Sequence, residues 1–177
     1  MKLSAILMFS LFIPAVASAH NSVTFPGGVC MISGKYSQKV ECVNNSTSYY
    51  RTIYTQKRSG GLNTYSLSHL TISPGGNYVI FVAPGGATPS SANIKRVNIR
   101  SGKENFVAIG SLECVVREGR YSGDLVVQQR VGYGGEDDPF LYSPNGHQIG
   151  LIEVPPKPSE CYRFGTNSFT DGVYTGN

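Results

Sequence analysis

The sequence has little that marks a chemistry outright. Beyond the N-terminus, no stretch approaches the roughly 18 apolar residues that a membrane-spanning helix needs. The four cysteines contain no Cys-x-x-Cys pair, so their spacing does not suggest a zinc site, and no metal or other cofactor is expected. There is no low-complexity tract and no evident internal repeat, which points away from solenoids and linker-rich arrays. Charge of neither sign dominates. A net formal charge of +4 on 177 residues is compatible with a polyanionic partner but too small to argue for one alone.

What is present begins with a leader. One Lys, the apolar run "AILMFSLFIPAVA" and the small-residue ending "ASA" make residues 1–19 a secretory signal, with cleavage expected after Ala19. That leaves 158 residues, 20–177, enough for one modest domain. A secreted protein without a membrane anchor is expected, and a monomer. All four cysteines, Cys30, Cys42, Cys114 and Cys161, lie after the leader. An even count in an exported chain implies two disulfides, and spacing leaves all three connectivities open. Asn44-Asn45-Ser46 and Asn45-Ser46-Thr47 make Asn44 and Asn45 candidate glycosylation acceptors.

Helical spacing occurs once. Val40, Val43, Thr47, Tyr50 and Tyr54 recur at three and four residues behind Ser37 as a candidate N-cap, predicting a helix over 38–50. The rest reads as strands rich in β-branched and aromatic residues, at 77–83, 93–100, 105–118, 124–131, 139–143 and 149–154, with 93–100 at an edge. Pro144-Asn145-Gly146 between two apolar runs predicts a hairpin. The expected fold class is α+β, one antiparallel sheet packed against one N-terminal helix.

The order of these features carries a resemblance. Val23-Thr24-Phe25 precedes Cys30, Tyr36-Ser37 opens the helix, a hairpin spans 142–154, and Tyr162 and Phe164 follow Cys161. This resembles the small secreted fungal ribonucleases of the guanyl-specific and ribotoxin type, and more closely the ribonuclease-like effectors of plant-pathogenic fungi. It covers about residues 23–55 and 119–164, with Gly/Pro-rich loop insertions at about 59–93 between them. The resemblance implies disulfides Cys30–Cys161 and Cys42–Cys114. It also implies a host protein or host RNA as partner and suppression of plant immunity as the outcome, and leaves open whether the secreted protein is translocated into host cells.

Cleavage by that family's route needs a base, a cation on the phosphate and an acid. Its Tyr-Glu-x-Pro motif matches Val127-Gln128-Gln129-Arg130, which puts Gln128 where the basic Glu belongs. Its Asp-Arg-Val-x-Phe motif matches Asp138-Pro139-Phe140-Leu141-Tyr142, which puts Pro139 at the phosphate-binding Arg. The acid of its Gly-x-x-x-His-Thr motif is replaced by Val154. The implied protein is therefore a pseudo-ribonuclease that acts by binding.

Active cleavage is the alternative. It would rest on His69, which matches a His the family places after a Tyr, or on a shifted pair of His147 and Glu153. A third reading is copper chelation by an N-terminal His20 with His69 or His147, as in copper-dependent polysaccharide oxygenases. Lys95, Arg96, Arg100 and Lys103 form the densest basic cluster and are the candidate RNA contacts. The loops at 73–76 and 83–93 are further candidate partner surfaces.

Overall fold

A computed structural model describes residues 22–34, 37–47, 49–56, 66–85, 92–130, 137–162 and 164. Residues 1–19, expected as a leader, His20 and much of the 83–93 loop lie outside them. The described residues form twelve strands in three four-stranded antiparallel sheets, and none is α-helical. Sheet 1 holds β1 (Ser22–Phe25), β2 (Gly28–Ser33), β3 (Lys39–Asn44) and β4 (Tyr50–Thr55). Sheet 2 holds β5 (Ser68–Ile72), β6 (Tyr78–Ala83), β7 (Asn93–Asn98) and β8 (Glu104–Ile109). Sheet 3 holds β9 (Ser111–Val115), β10 (Leu125–Arg130), β11 (Asp137–Tyr142) and β12 (Gln148–Leu151). In each sheet, neighbours in sequence are neighbours in space. The structure is thus one meander used three times, a repeat of topology that leaves no repeat of residues.

Sheet 2 is the middle layer. On one face Leu70, Ile72, Val79, Phe81 and Val97 pack against Cys30, Val40, Cys42 and Ile53 of sheet 1. On the other, Ile80, Val82, Ile94, Val107 and Ala108 pack against Leu112, Val115, Leu125, Val127 and Tyr142 of sheet 3. A strand buried on both faces has no reason to alternate, which is why "YVIFVA" in β6 is a continuous apolar run. β7, expected at an edge, is interior, paired to β6 and β8 along its whole length.

Residues 38–50 correct the helix prediction. Val40 and Cys42, two apart, are the buried pair of β3, while Glu41 takes hydrogen bonds from Ser33 and Thr52 on the opposite face. The three-and-four spacing arose because Asn45–Thr47 turns the chain between two strands. Val, Thr and Tyr favour strands, and the Asn/Ser content favours that turn. Residues 105–118 likewise are not one strand. Gly110 alone joins β8 to β9, so the chain crosses from sheet 2 to sheet 3 there. The region 59–93, expected as loop insertion, instead contributes β5 and β6 to the middle of the core.

The disulfide pairing is Cys30–Cys42 and Cys114–Cys161, not Cys30–Cys161 and Cys42–Cys114. Cys30 and Cys42 face each other across β2 and β3, with Cα atoms 4.0 Å apart. Cys114–Cys161 holds the C-terminal segment on the outer face of sheet 3, over Val116, Val126 and Leu141. There Val116 and Cys161 bridge, Tyr162 N–H donates to the Val115 carbonyl at 2.8 Å, and Arg117 N–H donates to the Glu160 carbonyl at 2.7 Å. The segment covers apolar surface that sheet 3 would otherwise expose. Chain-entropy reasoning assigns about 3 kcal/mol to the first bridge and about 4 kcal/mol to the second, closing loops of 12 and 47 residues.

Candidate functional site

The three positions carried over from the ribonuclease motifs do not line one cleft. Gln128 stands directly opposite Pro139 across β10 and β11, but Val154 lies beyond the end of β12 and is 81% exposed. Neighbouring Gln129 has a structural part. Its amide donates to the Ile109 carbonyl at 2.6 Å and its Oε1 accepts from the Tyr142 hydroxyl at 2.7 Å, tying sheet 3 to sheet 2. His147 and Glu153 are exposed at opposite ends of β12.

His69 sits in a bulge of β5 with φ 52°, a left-handed conformation uncommon outside glycine. Its Nδ1 is 2.9 Å from Ser68 Oγ, and the Phe164 ring meets it edge-on at 5.1 Å between centroids. Burial holds the imidazole pKa below its usual value. Among the described residues, a hydroxyl and an aromatic ring are its contacts, with neither a carboxylate nor a cation against it. The acid, base and phosphate clamp of a ribonuclease are not assembled around it. Among the described residues no group of three His, Cys, Asp or Glu stands close enough to hold a metal ion. His20, on which the copper reading depends, is outside them.

The basic cluster divides into two pairs with different roles. Lys95 and Arg96 serve the fold. Lys95 pairs with Glu104 on the neighbouring strand and lies 5.0 Å from the Tyr54 ring centre. Its burial opposes the charge, yet the hydrogen bond from Lys95 to Glu104 and the Tyr54 contact outweigh this and raise its pKa. Arg96 is buried, stacks over Tyr78 at 4.2 Å and donates from Nη2 to Asn145 Oδ1 at 2.9 Å. Neither side chain is available for a partner.

Arg100 and Lys103 instead lie exposed in the β7–β8 turn. Asn98 shapes that turn: its Oδ1 accepts the Arg100 and Ser101 N–H groups at 3.0 and 2.8 Å, and its carbonyl accepts Gly102 N–H at 2.8 Å. Arg51 of β4 reaches over from sheet 1, and its Nη1 donates to the Arg100 carbonyl. Three cationic residues therefore meet where sheets 1 and 2 adjoin. Among the described residues none of the three makes an ion pair. Tyr49 and Tyr50, immediately before Arg51, are 70% and 58% exposed. Sequence spacing missed Arg51, which is 49 residues from Arg100 and joins it only through packing of the sheets.

Asn44 ends β3 and Asn45 opens the exposed β3–β4 turn, where Asn44 Oδ1 accepts from the Ser46 N–H at 2.9 Å. The 73–76 loop is a tight turn rather than an open one. Gly76 has φ +70° and stands so close to Pro26 that a Cβ would lie 2.6 Å from the proline ring. With Ser22, Thr24, Tyr162 and Phe164 it lines a pocket of about 520 Å³ where sheet 1, sheet 2 and the C-terminal segment meet.

No family model matches the chain. No curated relative matches it either. Among solved structures it is similar to the β-propeller domain of the Trilobed protease from Pyrococcus furiosus, described as having an open velcro topology, at 14% identity and a TM-score of 0.50. The fold is β-propeller-like. The match covers 76% of this chain and 42% of the other, so the chain spans less than half the length of that structure. At this identity the likeness is of fold alone. It makes each sheet a blade, in which a four-stranded meander packs face to face on the next. The α+β ribonuclease resemblance is overturned by these blades and by the absence of an α-helix among the described residues.

Proposed function

We propose that the protein is an exported, non-catalytic binding module that takes single-stranded RNA on the junction of blades 1 and 2. The observation that carries this reading is the convergence of Arg51, Arg100 and Lys103 on one turn without carboxylate partners among the described residues. The Asn98 bonds and the Arg51 contact hold the backbone of the turn that carries Arg100 and Lys103, and phosphate contacts by such cations supply sequence-independent affinity. Tyr49 and Tyr50 beside them offer rings on which bases stack, the usual complement of a charged groove for single strands. Two disulfides are compatible with the oxidising compartment that export implies. The isolation of His69 favours binding over cleavage.

Titration with a fluorescent single-stranded oligoribonucleotide at several salt concentrations tests this. The logarithm of affinity should fall with that of salt with a slope of about −2, as three phosphate contacts require. Arg100→Ala with Lys103→Ala should weaken binding about tenfold or more, and the RNA ends should stay intact. Absence of binding at low salt would overturn the reading, as would affinity unchanged in the double variant. Appearance of 2′,3′-cyclic phosphate ends, abolished by His69→Ala, would replace it with the cleavage reading.

A further inference from the structure

We propose that β12 pairs with the β12 of a second copy of this chain, antiparallel about a two-fold axis at Gly150, joining the two third blades into one eight-stranded sheet. β12 is the last strand of its sheet. Its inner edge is paired to β11, and its outer edge has no strand beside it among the described residues. Natural edges are blunted by shortness, bulges, charge or proline; Gln148-Ile149-Gly150-Leu151 is short and bulged but carries neither charge nor proline. Instead Ile149 is 46% and Leu151 58% exposed. A bulge leaves Ile149 without a partner on β11.

The surroundings favour a second copy over a charged partner. Beside β12 runs a groove of about 850 Å³ with Val116, Tyr121, Leu141 and Val154 on its walls. Its lining carries both signs, with Glu118, Glu153 and Glu160 as well as Arg120 and Lys157. A polyanion or polycation would meet repulsion there, whereas a surface holding both signs can complement itself, as a two-fold interface requires.

The sequence of the strand selects one register. With Gly150 opposite Gly150 of the second copy, Ile149 faces the other copy's Leu151, and His147 faces its Glu153. Each contact occurs twice. Gln148 then faces Ile152, whereas moving the axis to Leu151 sets Ile149 against Glu153 and moving it to Ile149 sets His147 against Leu151, so only the axis at Gly150 matches both exposed apolar residues with each other. Gly150 also leaves the axis clear, with nothing within 4 Å of where its Cβ would stand.

Sedimentation of the full chain across the micromolar range should show a monomer–dimer equilibrium. Ile149→Lys with Leu151→Lys, at exposed positions that leave the core intact, should weaken it by about tenfold or more. Directly opposed residues in an antiparallel pair lie within disulfide reach. Gly150→Cys should therefore form a covalent dimer on a non-reducing gel, and Ile149→Cys mixed with Leu151→Cys should cross-link more than either alone. Circular dichroism and the native disulfide map check that each variant is folded. A wild-type chain that stays monomeric, or a dimer that Gly150→Cys fails to cross-link, would overturn the proposal.

Discussion

Arg96 of blade 2 donates a hydrogen bond to Asn145 in the β11–β12 turn of blade 3, at 2.9 Å, while its guanidinium covers the Tyr78 ring. The Pro-Asn-Gly turn is thereby pinned to the neighbouring blade as part of the scaffold. Gly146, at φ +87°, lets it approach the Phe106 and Val107 carbonyls, from which a Cβ would lie 3.1 and 3.0 Å.

If that contact holds the blades together, Arg96→Ala should cost about 2–3 kcal/mol, since it removes a charge-assisted hydrogen bond and a cation–aromatic contact together. Asn145→Ala should cost about 1 kcal/mol. Urea unfolding of both single variants and the double variant should return a coupling energy of about 1 kcal/mol. Additive losses would mean the two residues act separately.

Peptide mapping of the unreduced protein should recover Cys30 linked to Cys42 and Cys114 linked to Cys161. Replacing both members of the second pair by Ala should destabilise by about 4 kcal/mol, against about 3 kcal/mol for the first. The second replacement should also expose the outer face of blade 3, read as increased binding of a hydrophobic dye.

Gly110 crosses between blades with φ +141°, and a Cβ there would lie 2.4 Å from the Gln128 carbonyl oxygen. Since the obstacle is backbone, it has little freedom to withdraw. Gly110→Ala should cost about 3 kcal/mol or more in denaturant unfolding. A loss below about 1 kcal/mol would mean that the connection relaxes.

Burial lowers the His69 pKa in the folded state relative to 6.5 in the unfolded chain. The unfolded state therefore binds the proton more readily, so this group's contribution is present above pH 6.5 and is lost as pH falls through the folded value. The urea midpoint should be lower at pH 5.5 than at pH 7.5, and His69→Asn, which tolerates the left-handed backbone, should flatten that difference. Asp124 has the opposite sign. Burial raises its pKa, so protonation favours the fold, but only in the lower, carboxylate range.

Local sequence determined most of the strands, the Asn-Gly hairpin and the presence of two disulfides. Alternation, β-branching and turn chemistry act over a few residues, and for β6, β10 and the 142–154 hairpin these signals agreed with the final structure. They failed at 38–50, where a hairpin turn set apolar residues at helical intervals, and at Gly110, where a single residue hides the passage between blades. Cysteine partners, the three-blade stack and the meeting of Arg51 with Arg100 were decided only by tertiary structure. Each depends on which faces of which sheets are buried together, and that is a property of packing between segments far apart in the chain. The ribonuclease order of features shares its local elements with this fold. What separates the two is that β6 is covered on both faces by sheets, an arrangement in which no helix is needed to close the core.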